Sequence, residues 1–345
     1  ITGVTTLNSG SADLTLDEAA STFGALAITG ANVAVTENAA MDLGASTISG
    51  TASFNSTSNA ITDSGTLAIT GATTLNSGSA DITLNEAAST FGTLAITGTN
   101  VAVTDAGAAD LGVSTVSGTF GITSGGAITD SGTLAITGDA TFTNTSGSND
   151  VITLDDAGNA FAGTVTFATD IGSAVTIVDT TALDLKALSA ASLSVTAGGA
   201  VTDSGTLAII GATTINSGSA DLTLNEASST FGTLVLTGAN VAVTDAGAVD
   251  LGVSTVSGTF GITSGGAITD SGTLAVTGDA TFTNTSGSND AITLDDASNA
   301  FAGTVTFATD SGSAVTIVDT TALDLKALSA ASLSVTAGGA VTDSG

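Results

Sequence analysis

ADITLNE (80–86), NVAVTDAG (100–107) and GAITDSG (126–132) decide the fold. In each, an aliphatic residue, a small polar residue and a second aliphatic or acidic residue alternate, which is the period of a β-strand. In the first, Ile82 and Leu84 would point inward while Asp81 and Thr83 point out. Each also carries an acid two places after an aliphatic residue, at Leu84/Glu86, Val103/Asp105 and Ile128/Asp130.

That pairing runs through the whole chain. The acids are Glu18, Glu37, Asp63, Glu86, Asp105, Asp130, Asp156, Asp179, Asp203, Glu226, Asp245, Asp270, Asp296, Asp319 and Asp343, and Leu, Ile or Val stands two residues before every one. The mean step, (343 − 18)/14, is about 23 residues, which suits one coil of a β-solenoid. The expected fold is all-β: a right-handed parallel β-helix of about 15 coils of about 23 residues. Stacked at ~4.8 Å, such coils make a rod roughly 70 Å long, and a rod is more often a stalk or filament than an enzyme.

A larger period is laid over the coils. TDSG closes blocks at Gly65, Gly132, Gly205, Gly272 and Gly345, giving blocks 1–65, 66–132, 133–205, 206–272 and 273–345 within one continuous solenoid. Types alternate, so residues 66–205 recur as 206–345 with twelve differences, such as Leu75 to Ile215 and Ile136 to Val276. A second strand set, TLAITG, TVTFATD and LSVTAGG, supplies another face to each coil, and Gly, Ser, Asn and Asp fill the corners. ALDLKALSAASL (182–193) has some helical character, but Leu183 and Leu185 alternate and it reads as strand. Ile1 aligns with Ile69 inside a repeat and Gly345 falls on a block boundary, so the sequence reads as an excerpt of a longer protein whose targeting signals lie elsewhere.

Composition narrows the function. The chain has 345 residues, 32 acids, two lysines and no Arg, His, Cys, Pro, Trp or Tyr, for a formal charge of −30. Such a surface repels nucleic acid and anionic headgroups and attracts cations or basic partners. No run of 18 apolar residues is present, so no transmembrane segment is expected. Without Cys, disulfide staples are excluded. The lack of Pro suits a stack in which nearly every strand is central.

The acid row is the candidate site. Its candidate metal ligands are Glu86, Asp105, Asp130, Asp156, Asp179, Asp203, Glu226, Asp245, Asp270, Asp296 and Asp319. Acids stacked ~5 Å apart repel by about 0.8 kcal/mol per pair even at the dielectric of water. One relief is capping, with carboxylates accepting backbone N–H bonds at the corners. Another is bound Ca²⁺, which takes several carboxylate and carbonyl oxygens and would stiffen the rod. A third is raised pKa values from crowding. The calcium-solenoid signature GGxGxDx is not matched, since Gly125-Gly126-Ala127-Ile128-Thr129-Asp130 lacks its third Gly. Parity poses a further question: if the aliphatic residue points inward, the acid two later does too, unless the strand has ended, and the Ser-Gly or Ala-Gly that follows suggests that it has.

Other chemistry is thin. Triads and thiol nucleophiles need His or Cys. Asp155-Asp156 and Asp295-Asp296 could pair for glycoside hydrolysis, but they are duplicates in equivalent places, and no Arg, Trp or Tyr orients a sugar. No enzymatic activity is expected. Lys186 and Lys326 stand beside Asp184 and Asp324 and suit local ion pairs. Outward Thr83, Thr104 and Thr129 raise an ice-binding alternative, although Thr is also a good exposed strand residue. A polysaccharide-binding module would need exposed aromatics; Phe23, Phe91 and Phe231 in STFG are expected in the core. Asn55, Asn144 and Asn284 begin glycosylation-type triplets, common by chance in such sequence.

LSVTAGGAVTDSG (193–205 and 333–345) and FGITSGGAITDSG (120–132 and 260–272) resemble repeats of bacterial filamentous-haemagglutinin-like exoproteins and autotransporter-type adhesins. The resemblance implies a right-handed parallel β-helix, secretion across the bacterial envelope, and a long surface fibre or adhesin stalk. No functional residue transfers, because the secretion and adhesive domains of that family are not in this sequence. The expected role is an extracellular, non-catalytic structural fibre at a bacterial cell surface. Its partners would be homotypic, through cation bridges or end-to-end strand pairing, with contact to a cell surface or polysaccharide, and no nucleic acid.

Overall fold

The computed structural model describes residues 1–345 except 146, 148, 286 and 288. Among the described residues all regular structure is β-strand, in pieces of two to six residues. The stretch 182–193 is strand, as its alternation predicts: Leu183–Leu185, Leu188–Ala190 and the start of Ser192–Ala197. Strands pair in parallel with those one coil away, the β-solenoid expected from sequence. A coil takes from 17 residues (Leu94 to Leu111) to 25 (Ala140 to Val165). The chain makes about 17 turns of about 20 residues. It divides into two units, Ile1–Thr180 and Thr181–Gly345.

In the first unit, between exchanges, each coil has a straight side of one strand and a bent side of two. Val33–Thr36, Ala52–Asn55, Thr73–Asn76 and Thr93–Gly98 stack as straight strands. Opposite them stack two bent pairs, Met41–Leu43 with Ser46–Ile48 and Ile61–Asp63 with Leu67–Ile69. Then the sides exchange. The bent pair Ala109–Leu111 and Ser114–Val116 lies on Thr93–Gly98. The other side becomes the straight stack Val101–Asp105, Phe120–Ser124, Ala140–Asn144 and Thr164–Ala168. The second unit repeats the exchange: Val249–Leu251 and Ser254–Val256 lie bent on Thr233–Gly238, while Val241–Asp245, Phe260–Ser264 and Ala280–Asn284 stack straight.

The cause is arithmetic. Each block holds three acid-marked strands, yet the five blocks share about 17 turns, which is more than three turns to a block. A block therefore ends close to half a turn out of phase with its start. This is why the marking acids number fifteen in a chain of about 17 turns.

A straight strand leaves the middle of its ladder open where a bent pair lies on it. Buried serines fill the gap. The hydroxyl of Ser114 accepts the Ile96 N–H at 3.1 Å and donates to the Gly112 carbonyl at 2.9 Å. Ser46 does the same for Ile28 and Ser254 for Leu236. Inside the straight stack, Val103, Ile122, Phe142 and Phe167 form one inward column. Phe142 is fully buried and meets Phe120, Phe167 and Phe161 at centroid distances of 5.6, 5.7 and 6.0 Å. Coils approach closely at the corners: a Cβ on Gly92 would come 2.5 Å from the Gly71 carbonyl oxygen, so the backbone itself demands glycine there.

Candidate functional site: carboxylate caps in trios

The fifteen acids do not form one row. In the first unit Asp63, Glu86 and Asp105 follow strands of one side, and Asp130, Asp156 and Asp179 follow strands of the other. Glu18 and Glu37 end a trio on that same second side, after the paired strands Leu14–Leu16 and Val33–Thr36. In the second unit Asp203, Glu226 and Asp245 belong to one side and Asp270, Asp296 and Asp319 to the other. Asp343 ends the strand Val341–Asp343.

Each member of a trio has its own task. The first acid replaces an inward aliphatic residue: Asp130 opposes Leu111 in register. The next coil's strand ends at Leu154, which frees the following N–H groups, and Asp130 accepts them. Its Oδ1 takes the Asp155 N–H at 2.8 Å, and its Oδ2 takes the Asp156 N–H at 3.3 Å and the Asn159 amide at 2.5 Å. Asp270 repeats this with Asp295, Asp296 and Asn299. Asp63 caps Asn85 and Glu86, and Asp203 caps Asn225 and Glu226.

The second acid stands in the turn so capped. Asp156 Oδ1 accepts the Gly158 N–H at 2.9 Å and the Thr133 hydroxyl at 2.8 Å. At Glu86 the backbone carbonyl accepts the Ser89 N–H. The pairs Asp155-Asp156 and Asp295-Asp296 therefore present two consecutive N–H groups to one carboxylate of the preceding coil.

The third acid overturns the expectation that the strand has ended before it. Val101–Asp105 stays in strand to its end, so Asp105 points inward behind Val101 and Val103 and is 1% exposed. Glu37, Asp179, Asp245 and Asp319 are buried likewise. Each of these four accepts the N–H of the phenylalanine five residues after the second acid: Glu37 from Phe23 at 3.0 Å, Asp179 from Phe161 at 3.3 Å, Asp245 from Phe231 at 3.2 Å and Asp319 from Phe301 at 3.3 Å. Asp105 and Asp245 also accept the Gly107 and Gly247 N–H groups at 2.8 Å. Glu37 Oε1 and Asp105 Oδ2 are buried without a hydrogen-bond partner.

Burial raises the pKa of Glu37, Asp105, Asp203, Asp245 and Asp270, working against the hydrogen bonds that lower it. Charge crowding enters as a smaller contribution, from Glu226 on Asp203 and Asp295 on Asp270. Among the described residues no three acids converge as a group able to hold a metal ion. The first and third acids of the trios instead turn carboxylate oxygens to backbone N–H groups.

A second capping line escaped the sequence reading. Asp81 accepts the Asn100 N–H and side-chain amide at 3.0 Å each. Asn100 Oδ1 in turn accepts the Thr119 N–H and hydroxyl at 3.1 Å. Asp13-Asn32-Thr51 and Asp221-Asn240-Thr259 repeat it. The available signal was an Asp, Asn or Thr directly before each of three successive strands.

Other expectations settle individually. Phe91 and Phe231 are buried, and Phe23 is half-buried. The carboxylates of Asp184 and Asp324 take hydroxyls from Ser204 and Thr342. Lys326 contributes to lowering the Asp279 pKa, after hydrogen bonds from Thr304. Asn144 and Asn284 donate their amides to the Gly126 and Gly266 carbonyls. The serines of those two triplets, Ser146 and Ser286, lie outside the described residues. Among the described residues no helix is long and apolar enough to cross a membrane.

The family of repeats of unknown function DUF5649 matches residues 30–97, 98–168, 172–237, 238–308 and 312–345. This chain belongs to that family. The matched windows follow one another at the spacing of the blocks, and their junctions at 97/98 and 237/238 fall within strands where the sides exchange. No curated protein matches, and no solved structure matches.

Proposed function

We propose that this chain is a non-catalytic structural segment of an extracellular fibre or adhesin stalk on a bacterial surface, wound right-handed as parallel crossovers are. One observation carries the reading: the residues most able to do chemistry spend their oxygens on the backbone of the neighbouring coil. Asp130, Asp63, Asp203 and Asp270 each close the end of the next coil. A load along the axis falls on parallel strand ladders, and the caps hold the places where those ladders stop. Burial of Phe91 and Phe231 removes the aromatic platform that a polysaccharide-binding module would use.

Electron microscopy of the native material, with and without chelator, tests the proposal. Long filaments that contain this chain along their length support it. Compact particles in which the chain turns over a substrate or grips a soluble ligand overturn it.

A further inference from the structure

The straight strands carry no charge on their outer face. In the first unit, Ala102, Gly121, Thr141 and Thr166 form one outward row of the straight stack, and Thr104, Thr123, Thr143 and Ala168 form the next. The other straight stack shows Ala34, Ser53, Thr74 and Ala95. The second unit repeats the first pattern with Ala242, Gly261, Thr281 and Thr306. Acids project from the bent sides and corners: Asp42, Asp110, Asp184 and Asp250 are the outward residues of bent strands. With 32 acids and two lysines in 345 residues, this segregation leaves defined neutral patches on a strongly negative surface.

We infer that the straight faces are interaction surfaces between copies of this chain, which pack side against side through them. The inference deepens the fibre reading and rests on it. Charge selects the occupant: two copies at −30 repel wherever their bent sides approach, and only straight face against straight face brings them together without opposing carboxylates. Flat Thr, Ala and Gly rows at the ~4.8 Å spacing of parallel strands are also self-complementary, since each copy offers the same ridges at the same interval.

Area then sets the mode. Four strands of about five residues cover roughly 19 by 17 Å, about 300 Å². A stable pair needs about 800 Å² on each partner, so one patch holds too little. Association must engage several patches at once, and its strength grows with the number of repeats. Because the straight face changes sides within each unit, a copy is gripped on both sides, which favours sheets or bundles over isolated pairs.

The test is sedimentation of the full chain at rising concentration in about 20 mM and about 1 M NaCl. Association that strengthens with salt is expected, because screening removes the repulsion and leaves the neutral faces. T74D/T123D/T263D/T281D places charge on the straight faces and should weaken self-association at least about tenfold. T62D/T129D/T202D/T269D adds the same charge to the bent sides and should change it little. Melting curves of both sets check that the fold is kept. Equal loss in both sets overturns the face assignment while leaving the fibre reading intact. A wild-type chain that stays monomeric at every concentration and salt overturns the inference. So does ice-growth inhibition by that monomer, lost in the straight-face set, which makes water the occupant.

Discussion

Asp105 and Asp245 are paired in the repeat, point inward, and are buried at 1% and 2% exposure. A buried carboxyl is easier to keep protonated than charged, so their native pKa values, like those of Glu37, Asp203 and Asp270, stand above the ordinary 3.8 or 4.5. The native state then binds protons more tightly than the unfolded chain. Their contribution to stability is complete below the ordinary carboxyl range and is lost as pH rises through the raised native values. Melting followed by circular dichroism should therefore show a midpoint that rises as pH is lowered through the raised native values toward the ordinary carboxyl range. A midpoint that falls over that interval would show that hydrogen bonds outweigh burial at these positions. Asp130 satisfies three donors. Asp130→Ala leaves them without an acceptor and should cost about 1–3 kcal/mol. Hydrogen exchange should speed at the 155 and 156 amides first, with the equivalent 295 and 296 amides unchanged.

At the scale of elements, the alternation of Ile82, Leu84, Val101 and Val103 made the strands and their inward faces legible in sequence. The side on which each strand lies was not legible. It depends on fractional turns accumulated over a whole block, while each acid marks only its own strand end. The parity conflict at Asp105 posed the right question, but the Ala106-Gly107 that follows reads as the end of a strand; the strand instead runs through Asp105, so Val101, Val103 and Asp105 share an inward face. Ser114 and Asp81 were hidden because a small polar residue beside a strand reads as an ordinary corner until its coil neighbour is placed. The phenylalanine column was legible as core but not as a cluster, since Phe120, Phe142, Phe161 and Phe167 come together only when coils of unequal length stack. Phe142 is its centre, with three ring partners. Phe142→Ala should cost about 3–5 kcal/mol, and chemical denaturation should show the loss concentrated in the first unit. Thr141→Ala, one residue away on the outer face, should leave the midpoint nearly unchanged.

At the scale of the whole molecule, one question separates the two sequence-level accounts of the acids. If cations relieved the repulsion, stability would depend on the identity of the ion. If backbone N–H groups relieve it, stability depends only on ionic strength, because salt screens the remaining charge of −30 without entering a site. The geometry favours the second: the first acids of the trios already hold two backbone N–H groups each, and no three acids among the described residues converge on one point. The melting midpoint should rise with NaCl from about 20 mM to about 500 mM. CaCl2 matched in ionic strength should give about the same rise, and chelator should not change it. A calcium-specific rise at micromolar concentration, reversed by chelator, would mean that the caps open to take an ion, and would move the acid trios from the backbone's hydrogen-bond network to a metal's coordination shell.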